Sequence, residues 1–183
     1  NGAGISELYF YDIASQRAQK VNIDWSLGLG NGFNVNGNDV VASLANKATM
    51  KLAYLKKQGS NWSKSVIDLG AKNDHVTIEA IADNSSKVIY SHSTASKLPQ
   101  YFVADLKGSK FQNESTFITL NKKLVNKYMP KSEIMTWAGY NGDSITGILY
   151  YPKEYISGKK YPLMLNIHGG PMSQNLDEWS GSW

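Results

Sequence analysis

Cysteine is absent from the 183 residues, which excludes disulfides, zinc–thiolate sites and thiol catalysis. A chain without thiols folds equally well in cytoplasm or periplasm, so the compartment stays open between the two. No run approaches the roughly 18 consecutive apolar residues of a membrane helix, and the first residues lack the basic-then-apolar layout of a signal peptide. Concentrated positive charge is missing too. The formal charge is only +4, and the lysines are scattered, with Lys56-Lys57, Lys122-Lys123 and Lys159-Lys160 the only doublets. A nucleic-acid partner needs a basic face, so solvated surface is the better reading. Histidine is scarce: His75, His92 and His168 have no ligand spacing, and no metal or cofactor is expected. Helical periodicity is nearly absent.

What is present is a series of short β-rich runs. Candidate strands are Leu8–Ile13, Ala18–Asp24, Asp39–Ala45, Met50–Leu55, Ser65–Leu69, Val76–Ala82, Lys87–Ser93, Tyr101–Leu106 and Ser115–Leu120. Polar clusters such as Asn36-Gly37-Asn38 and Gln58-Gly59-Ser60-Asn61, rich in residues suited to turn geometry, lie between them. Even spacing of short strands indicates an all-β sandwich, barrel or propeller. A weak repeat favours the propeller. Ile13, Leu55 and Leu106 each follow an aromatic-bearing run, at separations of 42 and 51 residues, near the roughly 40–50 residues of a four-stranded blade. A β-sandwich with coincidental spacing is the counter-reading. The glycine-rich Gly28-Leu-Gly-Asn-Gly32 precedes no convincing helix, so a nucleotide loop is not expected.

Composition shifts between Asn121 and Lys131 toward lysine and asparagine, as in a linker or short helix. A hairpin is expected next, from Glu133–Trp137 and Ser144–Tyr151 around the turn dipeptide Asn141-Gly142. Leu163–Ile167 is an apolar run without alternation, the pattern of a strand covered on both faces in an α/β sheet. His168-Gly169-Gly170-Pro171 follows at once. Paired glycines can present bare backbone N–H groups to a ligand, and an HGGG-type loop holds the negative oxygen of a tetrahedral intermediate in α/β-hydrolases. The run therefore points to acyl-transfer chemistry.

Residues 130–152, PKSEIMTWAGYNGDSITGILYYP, followed by KKYPLMLNIHGGP over 159–171, resemble the entry into the catalytic domain of prolyl oligopeptidase family serine peptidases. The acylaminoacyl-peptidase and dipeptidyl-aminopeptidase-like branch is the nearest. The resemblance covers about the last 55 residues, and the upstream repeat resembles that family's β-propeller. It implies a mainly β chain with two parts. Residues 1–129 would be two to three C-terminal propeller blades, and 130–183 the first strands of an α/β-hydrolase domain, truncated before the nucleophile. It also implies hydrolysis of peptide bonds in short peptides by a Ser-Asp-His triad lying beyond the loop. No G-x-S-x-G elbow occurs between Asn1 and Trp183, so nucleophile, acid and base are all missing and the chain alone is expected to be inactive. The resemblance assigns the backbone N–H of Gly170 to the oxyanion hole, Gly169 to the close turn, and His168 and Pro171 to shaping the loop.

Other readings are bland. His75 and His92 are expected to be surface or hydrogen-bonded histidines, and Trp179 and Trp183 packing residues. Asn61, Asn84 and Asn113 head N-glycosylation triplets, which matter only in a eukaryotic secretory setting. Two alternatives stay open: a β-propeller acting only as a binding module, and an esterase or lipase sharing the HGG loop. As an internal piece, the chain is expected to self-associate through an exposed strand edge at Leu163–Ile167.

Overall fold

The computed structural model of the protein describes residues 5–72, 75–83, 85–124, 127, 129–170 and 173–180. Among these residues the regular structure is strand, apart from single 3-10 turns at Gly70–Lys72 and Lys122–Leu124. Strands β1 (Tyr9–Asp12) and β2 (Arg17–Lys20) pair as a hairpin. The first four-stranded antiparallel meander contains β3 (Leu29–Asn36), β4 (Asp39–Asn46), β5 (Thr49–Gln58) and β6 (Asn61–Val66). A second contains β7 (Val76–Ile81), β8 (Lys87–Thr94), β9 (Lys97–Lys107) and β10 (Lys110–Ile118). The last pair is the hairpin of β11 (Ser132–Ala138) and β12 (Ser144–Tyr150).

The sequence of β4 explains why these layers stack. Successive side chains of a strand point to opposite faces, and β4 is apolar on both: Val40, Ala42 and Leu44 face one way and Val41 the other, all buried. One face packs under Leu8, Val21 and Ile23, with Ala53 and Leu55 of β5 alongside and Trp25 and Trp62 at the margin. On the opposite face, Val41, Leu52 and Ile67 meet Val76, Val88, Tyr90, Ala104 and Leu106 of the second meander. Each large aliphatic side chain so buried contributes about 1.5–3 kcal/mol. The first meander is thus an inner layer, and its face-to-face partners come from before and after it in the chain.

Tyr90 organises the second core. Its ring stacks on Phe102 at 5.3 Å and tilts against Phe111 at 5.1 Å. Its hydroxyl donates to Glu114, whose other oxygen accepts from Lys72 Nζ at 2.5 Å. Burial, and then the neighbouring carboxylate, hold the phenol well above its ordinary titration range.

Seven of the nine expected runs before Asn121 fall largely on strands, while Ala18–Asp24 shares only residues 18–20 with β2 and Ser65–Leu69 lies at the end of β6. Strand β3 was not expected, because interior glycines argue against a strand. Gly28, just before β3, and Gly30 within it answer local crowding. Gly28 has φ +72°, and a Cβ there would lie 2.3 Å from Ile5 Cγ2 and 2.7 Å from the Ser6 carbonyl oxygen. A Cβ at Gly30 would lie 2.3 Å from Met50 Sδ, and the β3–β4 register shifts between Leu29 and Phe33, as at a β-bulge. Of the three repeat points, Leu55 and Leu106 lie on the third strand of successive meanders, and each faces the layer before it. Ile13 falls in the turn after β1 and is exposed.

The hairpin around Asn141-Gly142 forms as expected. Its loop closes through Gly139 N–H to the Asp143 carbonyl (2.7 Å) and Gly142 N–H to the Gly139 carbonyl (3.0 Å). The hairpin approaches the end of the meanders that carries the β4–β5 and β8–β9 turns, with Lys47 Nζ 3.4 Å from Ser144 Oγ and Ser96 hydrogen-bonded to Ser132. The run Leu163–Ile167 differs from expectation. It is not a strand, and Leu163, Met164, Leu165 and Ile167 are 72–91% exposed. A strand needs a neighbour for its N–H and C=O groups, and among the described residues none lies beside this run.

Candidate active site

The residues expected at the site stand on an exposed bend between two anchors. Upstream, Tyr161 packs at 5.4 Å against Tyr155, which packs at 4.6 Å against Tyr151, and the Tyr161 hydroxyl accepts the Ile156 N–H at 3.0 Å. These rings fix the entry to the apolar run. The bend itself falls at Gly169 and Gly170, both exposed. Gly170 has φ +76°, a conformation open to glycine but strained for other residues, and a Cβ there would meet nothing within 4 Å. The glycine therefore serves the backbone path. Its carbonyl accepts the Ser173 N–H at 3.3 Å, while among the described residues no acceptor engages the N–H of Gly169 or Gly170. His168 is exposed and finds no hydrogen-bond partner among the described residues. Pro171, Trp183 and Asn84 lie outside the described residues.

The downstream anchor is Asp177, which sequence reasoning missed. Its N–H donates to the Ala48 carbonyl at 2.7 Å in the β4–β5 turn. Its Oδ1 accepts the Ala95 N–H at 2.8 Å in the β8–β9 turn. His75 Nδ1 lies 3.0 Å from its carbonyl oxygen and 3.4 Å from Oδ2; the carbonyl can only accept, so this nitrogen carries the proton. One residue thereby joins both meanders to the segment after the glycine bend. Burial first, and then the Asp177 charge, raise the pKa of Tyr150 at the end of β12.

His75 and His92 are not simple surface residues. Their rings meet edge to face at 6.0 Å. His92 is 5% exposed, and its Nε2 has no hydrogen-bond partner among the described residues. Burial, then the positive charges of His75, Lys97 and Lys72, lower its pKa to about 4, with Asp177 opposing. Among the described residues no group of three His, Cys, Asp or Glu side chains is placed to hold a metal ion. None of their helices is long and apolar enough to cross a membrane.

Comparison with known proteins supports a peptidase family for this chain. The relatives are fungal proteins named dipeptidyl-peptidase 5. The probable dipeptidyl-peptidase 5 of Aspergillus niger is 26% identical over 177 residues, 96% of this chain and 24% of the relative. That of Aspergillus terreus is 46% identical over 43 residues, 24% of this chain and 6% of the relative. The dipeptidyl-peptidase 5 of Aspergillus oryzae is 44% identical over 43 residues, with the same coverage. The chain thus spans about a quarter of the length of the Aspergillus niger relative. No protein-family profile matches the chain.

Proposed function

We propose that this chain is part of a serine peptidase of the prolyl oligopeptidase family that hydrolyses short peptides. In this reading residues 1–129 are propeller blades, and residues 130–183 open the α/β-hydrolase domain. The observation that carries it is the His168-Gly169-Gly170 bend, whose glycine amides meet no acceptor among the described residues, on a chain similar along 96% of its length to a probable dipeptidyl-peptidase 5. The stacked meanders support it, since consecutive four-stranded sheets packed face to face are the propeller arrangement.

The chemistry needs a serine, a histidine and an aspartate from segments outside these 183 residues. The serine Oγ attacks the scissile carbonyl carbon while the histidine takes its proton. The carbonyl oxygen becomes an oxyanion held by Gly170 N–H, with a second donor beside the serine. The C–N bond then breaks as the histidine returns the proton to the leaving amine, and water resolves the acyl-enzyme. Losing one such donor costs about 2.7–4 kcal/mol of transition-state stabilisation.

The test uses the longer protein encoded by the reading frame that contains this chain, assayed with dipeptidyl anilides, acylaminoacyl anilides and simple acyl esters. Amide turnover that stops on covalent labelling by a fluorophosphonate supports the reading. Ester turnover without amide turnover makes the protein an esterase, and partner binding without turnover makes it a propeller binding module. Either outcome overturns the proposal.

A further inference from the structure

We propose that Asp177 is a positioning residue that latches the segment after the glycine bend into the seam between the two meanders, and so fixes where the Gly169 and Gly170 amides stand. The inference rests on the peptidase reading for its catalytic consequence, but not for the latch itself.

The geometry singles out Asp177 because, among the described residues, the bend has little else to hold it. Residues 162–170 are exposed throughout, so the bend hangs between the Tyr161 stack and Asp177. Gly170 and Asp177 are seven residues apart, a span of at most about 25 Å when fully extended, so releasing Asp177 frees the amides to wander over distances far larger than a hydrogen bond. Effective oxyanion donors must stand about 2.7–3.1 Å from the developing charge. The latch is built to resist release. The Asp177 side chain is only 10% exposed, and its backbone and carboxylate are bonded to turns of two different sheets and to His75, the residue before β7. Each of these partners is itself held. Ala48 sits in a turn pinned by Asn46 and Thr49, whose side chains hydrogen-bond at 2.7 Å. His75 bridges to Met50 and accepts the Ser93 N–H through its carbonyl at 3.2 Å. Between Leu176, Asp177, Glu178 and the meanders only about 20 Å³ is left open, room for a single water molecule. The carboxylate accepts the Ala95 N–H in a largely buried seam, a charge-assisted hydrogen bond of the stronger class.

Two measurements on the longer protein test this. Hydrogen exchange reads the latch directly: the amides of Ala95 and Asp177 are expected to be protected, and Asp177→Ala should release Ala95 while the β8 core amides stay protected. Steady-state kinetics reads the consequence. Asp177→Ala should lower kcat roughly 10- to 100-fold with KM nearly unchanged, the signature of a contact that matters only in the transition state. Asp177→Asn, which keeps an acceptor for Ala95, should recover most of that loss, and this also guards against an alanine variant that fails to fold. Unprotected Ala95 and Asp177 amides in the wild-type protein overturn the latch, and a kcat unmoved by Asp177→Ala overturns the positioning role. If the exchange pattern holds while the wild-type protein cleaves no amide, the latch stands and the peptidase reading falls.

Discussion

Acidification from pH 7 to pH 5 should weaken the fold through His92 alone by about 2 kcal/mol. The ring is 5% exposed, its Nε2 finds no partner among the described residues, and burial followed by the charges of His75, Lys97 and Lys72 holds its folded pKa near 4. In the unfolded chain the same imidazole titrates near its ordinary value of about 6.5. As pH falls below that value the unfolded state takes up a proton that the folded state refuses. The stabilisation is therefore complete above about pH 6.5 and is lost progressively as pH drops toward 4. Urea unfolding of the wild type and His92→Leu at both pH values isolates the effect, because the carboxylates that also titrate in this range are common to both proteins. The wild type should lose about 2 kcal/mol more than the variant between pH 7 and pH 5, at equal urea slopes. Leucine also removes the unpaired nitrogen, so the variant need not be weaker at neutral pH. Identical pH dependence in the two proteins would refute the claim that His92 is buried in its neutral form.

Leu44, fully buried between the first meander and the Leu8–Ile23 layer, should cost about 2–5 kcal/mol when changed to alanine, read by the same denaturation. Gly28→Ala combines a strained φ with collisions against Ile5 and the Ser6 backbone, so its melting temperature should fall further than that of Gly170→Ala, whose Cβ meets open space. Gly170→Ala should instead show itself in the longer protein as a loss of kcat with little change in melting temperature. The chain studied by itself should dimerise or aggregate through Leu163, Met164, Leu165 and Ile167, and Leu165→Lys should reduce this. A clean wild-type monomer by light scattering, with protected amides over 163–167, contradicts it.

The strands were legible where their two-residue period was strong. Val88 to His92 place buried side chains on alternate positions, while Val40 to Leu44 form a short apolar run buried on both faces. Strand β3 was illegible because glycine reads as a breaker, and only the proximity of Ile5, Ser6 and Met50 shows why the larger side chains are excluded there. The glycine bend was legible as a motif, and in the structure it is exposed with Gly170 at positive φ. Asp177 was not. Nothing in Asn175-Leu-Asp-Glu-Trp179 distinguishes one acidic residue from its neighbour Glu178.

Composition and short-range pattern determined that this chain is β-rich, lacks thiol chemistry and carries a paired-glycine turn, because those properties depend on residue type and on neighbours a few positions away. The tertiary structure decided which surfaces meet: that one meander is buried on both faces, that His92 is buried against the His75 ring, and that Asp177 bonds to residues 82, 102 and 129 positions away in sequence. Contacts of that range are set by how sheets stack, and no local pattern encodes them.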